Sequence, residues 1–136
     1  GRKLPRDGGR AVTAFFKEVS DLIKEHGGDH IAAFIRPLKT ALDQLQQATM
    51  WFMANALQKP DNAAAGATDY MHLFGLVALG HMWARIAVAA GDRPEHAADL
   101  IAGRAFMERT MPETALRLAR LTTGADTIMA MPAEAF

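Results

Sequence analysis

Hydrophobic positions along the chain recur at three- and four-residue steps, and no stretch alternates with a period of two. Four helical patterns follow. From about Asp7 to His26, Val12, Phe15, Phe16, Val19, Leu22 and Ile23 share one face, with Asp7 as N-cap and Gly27-Gly28 as the stop. From about Asp29 to Gln58, a second stripe comprises Ile31, Ile35, Leu38, Leu42, Leu45, Phe52 and Leu57. Pro37 lies inside it and predicts a kink or a break. "KPDNAAAGA" at 59–67 reads as a loop. The third element, "TDYMHLFGLVALGHMWARIA" at 68–87, is almost continuously apolar, capped by Thr68 or Asp69 and closed by Gly91. The fourth starts near Pro94, a residue suited to a first turn, and runs to about Thr123, with Pro112 bending or interrupting it and Gly124 closing it. Arg109–Glu113 and Glu113–Arg117 are i,i+4 pairs expected on its wet side, and Arg117 and Arg120 suit a helix C-terminus. The pattern predicts an all-α fold: an up-down four-helix bundle with kinked second and fourth helices and a short C-terminal tail, one domain over 1–136.

The third element admits three readings. A membrane span needs roughly 20 apolar residues with few charges. Arg85 near one end, His72 and His81 inside, and three amphipathic companion helices all speak against a span. A metal site is tested by geometry: at about 100° per residue, His72 and His81 point to opposite sides and cannot share an ion from this helix. Asp69 and His72 have carboxylate-and-histidine i,i+3 spacing, but no second such motif occurs in the chain. A capping Asp69 and a hydrogen-bonded His72 are expected instead. The third reading is a central helix. Met71, Gly75, Ala78, Met82 and Ile86 lie along one side, and Leu73, Leu76, Gly80, Ala84 and Ala87 along the other, so burial on both flanks is expected, with the glycines as close-packing points.

A polar seam crosses this helix, because Tyr70, His81 and Arg85 fall within about 60° of one another. A buried His or Arg needs a partner, so a carboxylate from another helix, or exposure of the Arg head, is expected. Arg85 is the candidate for a contact with a neighbouring domain or a ligand phosphate, since a guanidinium fork suits such contacts. Trp51, Phe52 and Met53 are more bulk than one face can bury, which implies contacts on two sides, within the bundle or beyond it. His26, His30 and His96 sit at predicted helix ends, where exposure is the default.

Composition narrows the function. Fifteen basic and fifteen acidic residues balance, which removes the electrostatic case for nucleic acid or an anionic membrane. There is no cysteine, so disulfides, thiolate metal sites and Cys nucleophiles are excluded, and a reducing, cytoplasmic compartment fits. No Gly-rich phosphate loop, serine elbow or His-Glu-x-x-His occurs, and no carboxylate pair is set against an inward His. The chain begins at Gly1 without an initiator Met, as expected of a piece of something longer. By its residues alone this is a helical domain without evident chemistry. The expectation is no catalytic residue, no cofactor and no metal held by this chain.

The order of segments adds more. "GRKL" at 1–4, "DGGRA" at 7–11, "TDYMHLFGLVALGHMWAR" at 68–85, "FMERTMPETALRLA" at 106–119 and "MPAEAF" at the end together resemble the C-terminal extension domain of bacterial acyl-CoA dehydrogenases, large members that include the 3-methylmercaptopropionyl-CoA dehydrogenase type. The resemblance implies an appendage to an FAD-binding dehydrogenase body of fatty acid metabolism. In such an enzyme a glutamate removes the α-proton of an acyl-CoA, FAD accepts hydride from the β-carbon, and electrons pass to an electron-transfer flavoprotein. All of that machinery would belong upstream of Gly1. The appendage would pack on the body, help form a dimer or other homo-oligomer, or wall the acyl-CoA entrance, with Tyr70, His81, Trp83, Arg85 and Trp51 as interface candidates. The basic start (Arg2, Lys3, Arg6, Arg10) would meet CoA phosphates or, as the plainer account, remain solvated. The rival reading is a free-standing helical module that dimerises through the apolar surface around Trp51 and Met53.

Overall fold

The computed structural model describes residues 8–26 and 31–130, and every regular element among them is helical. The predicted Asp7 cap, the Gly27-Gly28 stop, the start at Asp29, His30, Arg2, Lys3, Arg6 and the ending "MPAEAF" lie outside the described residues. Helix α1 spans Gly9–Glu25, α2 Ala32–Gln58 and α3 Pro60–Ala90; a short 3₁₀ turn Pro94–His96 leads into α4, Ala97–Arg109, followed by α5, Glu113–Leu121, and a last turn α6, Asp126–Met129.

Two boundaries differ from expectation. The segment 59–67 is not a loop: only Lys59 leaves helical geometry, and α3 begins at Pro60. Proline at the first helical position forfeits an N–H that would be unpaired there anyway, and the alanines that follow are the best helix formers. Thr68 and Asp69 are therefore interior positions rather than caps. Helix α2 also continues unbroken through Pro37. That proline is near the start, so the one acceptor left without its amide is the carbonyl of Ala33, an exposed residue that water can serve. Pro112, by contrast, does interrupt the fourth pattern, separating α4 from α5.

The ends follow the punctuation. Gly91 and Gly124, both at positive φ, close α3 and the α5 turn. Arg93 folds back on α3, its Nε donating to the Ala90 carbonyl (3.1 Å) and Nη2 to that of Ala89 (2.7 Å), which supplies donors to a terminus that lacks them. Helices α2 and α3 run antiparallel: Asn55 meets Asn62, Thr49 meets Tyr70, and Leu38 reaches Gly80. Their facing sides supply the centre of the core (Leu38, Leu45, Leu73, Val77), completed by Val19 of α1, Met107 of α4 and Leu121 of α5.

Glycines set the closest approaches. A methyl group at Gly103 of α4 would lie 2.7 Å from the Phe34 ring and 2.8 Å from Trp83, both rigid. Gly103→Ala is therefore expected to lower stability by about 1–2 kcal/mol, overpacking outweighing the gain in helix propensity; urea unfolding of the variant checks this.

Candidate functional site

Polar side chains of the core are paired across helices. Asp69, buried in α3, accepts from Arg117 Nη1 of α5 at 2.9 Å, and Arg120 Nε stands 3.7 Å from the same oxygen. Glu113 lies 3.7 Å from the second Arg117 nitrogen. Arg117 is thus not on a wet face as the i,i+4 spacing suggested. The break at Pro112 resets the rotation of α5 and turns this arginine onto α3. The expected Glu113–Arg117 pair forms as a subsidiary contact of that buried bridge.

The seam through Tyr70, His81 and Arg85 resolves residue by residue. His81 is buried and its Nε2 lies 3.2 Å from Glu18 Oε1 of α1, so the proton is assigned to Nε2 and the carboxylate accepts. This is the carboxylate from another helix that burial required. Arg85 is exposed, the other outcome foreseen for it. Thr49 donates to the Leu45 carbonyl (2.8 Å), and having one proton it accepts from the Tyr70 hydroxyl, also 2.8 Å away. Tyr70→Phe removes only the outer of these bonds; a loss of about 1 kcal/mol in thermal or urea unfolding is expected. The Tyr70 ring stacks on Phe52 with centroids 4.9 Å apart, and Phe74 stacks on Phe15 at the same distance. These rings tie α1, α2 and α3 along one side.

Trp83 is half-buried against Phe106, with centroids 6.5 Å apart, and Trp51 is half-buried at the core edge. The five interface candidates are therefore not one cluster: Tyr70 and His81 face α1 and α2, Trp83 faces α4, and Arg85 reaches solvent. His72 is exposed on the side opposite His81. Asp69 neither caps the helix nor joins His72, because Arg117 holds it inward. Among the described residues no three of His, Asp and Glu converge.

One face of α3 contradicts the expectation of burial on both flanks. Leu73, Leu76, Gly80, Ala84 and Ala87 are buried as expected, but Met71 is 69% exposed, Met82 44% exposed and Gly75 open to solvent. Gly75 is no packing point, since nothing lies within 4 Å of where its Cβ would be. On this side Thr68 and His72 are the exposed polar residues, too few among apolar neighbours to mark it as outward. Helix α3 is also long and apolar enough to cross a membrane by length and composition, with 44% of its most apolar window buried. Two clefts flank its C-terminal half. One, about 190 Å³, is lined by Ile31, Phe34, Leu100 and Ile101 with Arg104 at its rim; the other, about 420 Å³, lies between Trp83, Ile86, Arg93 and Asp99.

The largely buried ionisable groups Asp69, His81 and Arg117 are engaged in holding helices together, and the outward side of α3 is largely apolar. Comparison with curated proteins finds no match. A family model described as acetyl-CoA dehydrogenase C-terminal like matches residues 15–132. That match runs from α1 through every helix described above, and the chain belongs to this family of acyl-CoA dehydrogenase C-terminal-like domains.

Proposed function

We propose that this chain is the C-terminal accessory domain of an FAD-dependent acyl-CoA dehydrogenase of the large, 3-methylmercaptopropionyl-CoA dehydrogenase-like type, a single domain over 1–136 arranged as an up-down bundle with bends at Pro37 and Pro112. The family match over residues 15–132 is the observation that carries the reading. In the full enzyme, α,β-dehydrogenation of an acyl-CoA takes place on the upstream body, with electron-transfer flavoprotein as acceptor. This domain packs on that body or at a subunit interface of a cytoplasmic homo-oligomer, and neither spans a membrane nor binds nucleic acid.

The larger cleft among the described residues does not fit FAD. It offers Trp83 as a wall, but Arg93 is committed to the carbonyls of Ala89 and Ala90 and His96 stands 3.8 Å from Asp99, so its lining does not present a set of free donors converging on a flavin ring. The cofactor belongs to the body in this reading, and no step is assigned to the chain itself. Arg85, exposed and one turn beyond His81, supplies a polar edge of the contact, while Tyr70 holds α2 and His81 holds α1 behind it; Trp83 and Trp51 lie on other sides and would serve separate parts of the interface.

The reading frame upstream of Gly1 tests the proposal. A long open frame encoding a flavin-binding dehydrogenase body is expected; a start codon directly before Gly1 would contradict it. The second reading, a free-standing dimer, draws on exposed Met50 and Met53 of α2 (75% and 51%) near Trp51. It predicts that this chain alone sediments as a stable dimer.

A further inference from the structure

Resting on the accessory-domain reading, we propose that the outward strip of α3 is the face on which the preceding part of the polypeptide docks, with an uncharged side chain of that partner seated on Gly75 between Met71 and Met82.

Gly75 is set apart from the other glycines inside α3 and α4. At Gly66, Gly80 and Gly103 an added Cβ would come within 3 Å of Leu121, Met111, and Phe34 or Trp83 respectively. Each marks a close approach made within this chain. Gly75 has nothing within 4 Å, although a glycine in an open helix interior costs about 1 kcal/mol relative to alanine. The surface around it is largely apolar: Met71 and Met82 flank it and Leu79 is 46% exposed, Thr68 and His72 are its exposed polar side chains, and between Asp61 and Arg85 no exposed residue of α3 is Asp, Glu, Lys or Arg.

Area selects the occupant. At 1.5 Å per residue and about 10 Å of width, the strip is roughly 35 Å long and covers about 350 Å². A second free copy on it would bury about 700 Å² over both sides, short of the roughly 1,200 Å² at which stable protein pairs begin. The same figure falls within the roughly 600–1,500 Å² between domains of one chain. There a tether supplies an effective concentration on the order of millimolar, so a modest contact suffices. A charged group seated against these methionines would lose water without gaining a partner, hence an uncharged contact.

The test is brief hydrogen peroxide treatment of the full-length polypeptide, with the oxidation rate of each methionine read by mass spectrometry against the same protein unfolded in denaturant. Met71 and Met82 are expected to react at least about tenfold more slowly than in the unfolded chain, the behaviour also expected of buried Met107 and Met111. Met71 reacting within about twofold of its unfolded rate would overturn the inference, and so would protection that disappears on dilution as copies dissociate. Proteolytic cleavage upstream of Gly8 followed by gel filtration separates the two readings. A fragment that still co-elutes with the body while Met71 is freely oxidised removes only this docking face. A fragment that elutes alone although Met71 was protected before cleavage shows a contact that depends on its tether, as the area of this face predicts. One that elutes alone with Met71 freely oxidised before cleavage removes the packing of the domain on a body, and the inference with it.

Discussion

Asp69→Ala is expected to cost about 3–5 kcal/mol, enough to unfold most marginal domains at ordinary temperature. Asp69 and Arg117 are largely buried, with side-chain exposures of 12% and 17%, and their oxygen and nitrogen lie 2.9 Å apart. Removing the carboxylate leaves the Arg117 guanidinium charged, partly desolvated and beside a second cation, Arg120, that Asp69 also served. Its Nε is already a buried donor without a partner among the described residues, so the remaining group has little to fall back on. Glu113, 41% exposed and 3.7 Å away, is too wet and too distant to replace Asp69. Removing both charges is a different matter. Asp69→Leu with Arg117→Met is expected to recover most of the loss, since an apolar pair of similar volume avoids the desolvation of two ions. Urea unfolding of the two variants checks this; a double variant as unstable as Asp69→Ala would show that the bridge has a role other than burial of paired charge.

Leu73→Ala is expected to cost about 3 kcal/mol in the same experiment. Leu73 is fully buried at the centre of α3, where its neighbours come from long helices that cannot readily collapse into the space it leaves. The loss combines transfer of the missing carbons with the cavity that remains. Met71, two residues earlier, is 69% exposed, and its truncation should change stability by less than about 0.5 kcal/mol. Comparable losses at the two positions would mean that α3 is rotated from the orientation described.

Much of this architecture was legible in the chain because it depends on local chemistry. The stops at Gly91 and Gly124 follow from positive φ, the interruption at Pro112 from a missing amide, and the apolar stripe of α1 from its spacing. What escaped the sequence was decided by distant residues. Proline, asparagine and glycine made 59–67 look like a loop, yet Leu121 packs on Gly66 and Asn62 accepts the Ala125 amide at 2.8 Å, so both are held within a helix by the other end of the chain. Asp69 looked like a cap because its partner, Arg117, lies on α5, and Arg117 looked solvated because Glu113, one turn before it, offered a local partner. The side of α3 that would face outward was hidden for a different reason. A helix apolar all round gives no polar stripe to orient it, and only the positions of α2, α4 and α5 assign an inside. For the candidate site, the need of His81 for a carboxylate and the exposure of Arg85 were both legible, whereas the identity of Glu18 as that partner was not.

The orientation of α3 is the claim on which the docking face and the reading of its buried polar groups both depend, and Gly75→Ala tests it most directly. With open space around this position, an alanine gains helix propensity and meets no neighbour, so urea unfolding should show stability rising by about 0.5–1 kcal/mol. A fall in stability would place Gly75 against another helix of this chain and contradict the account.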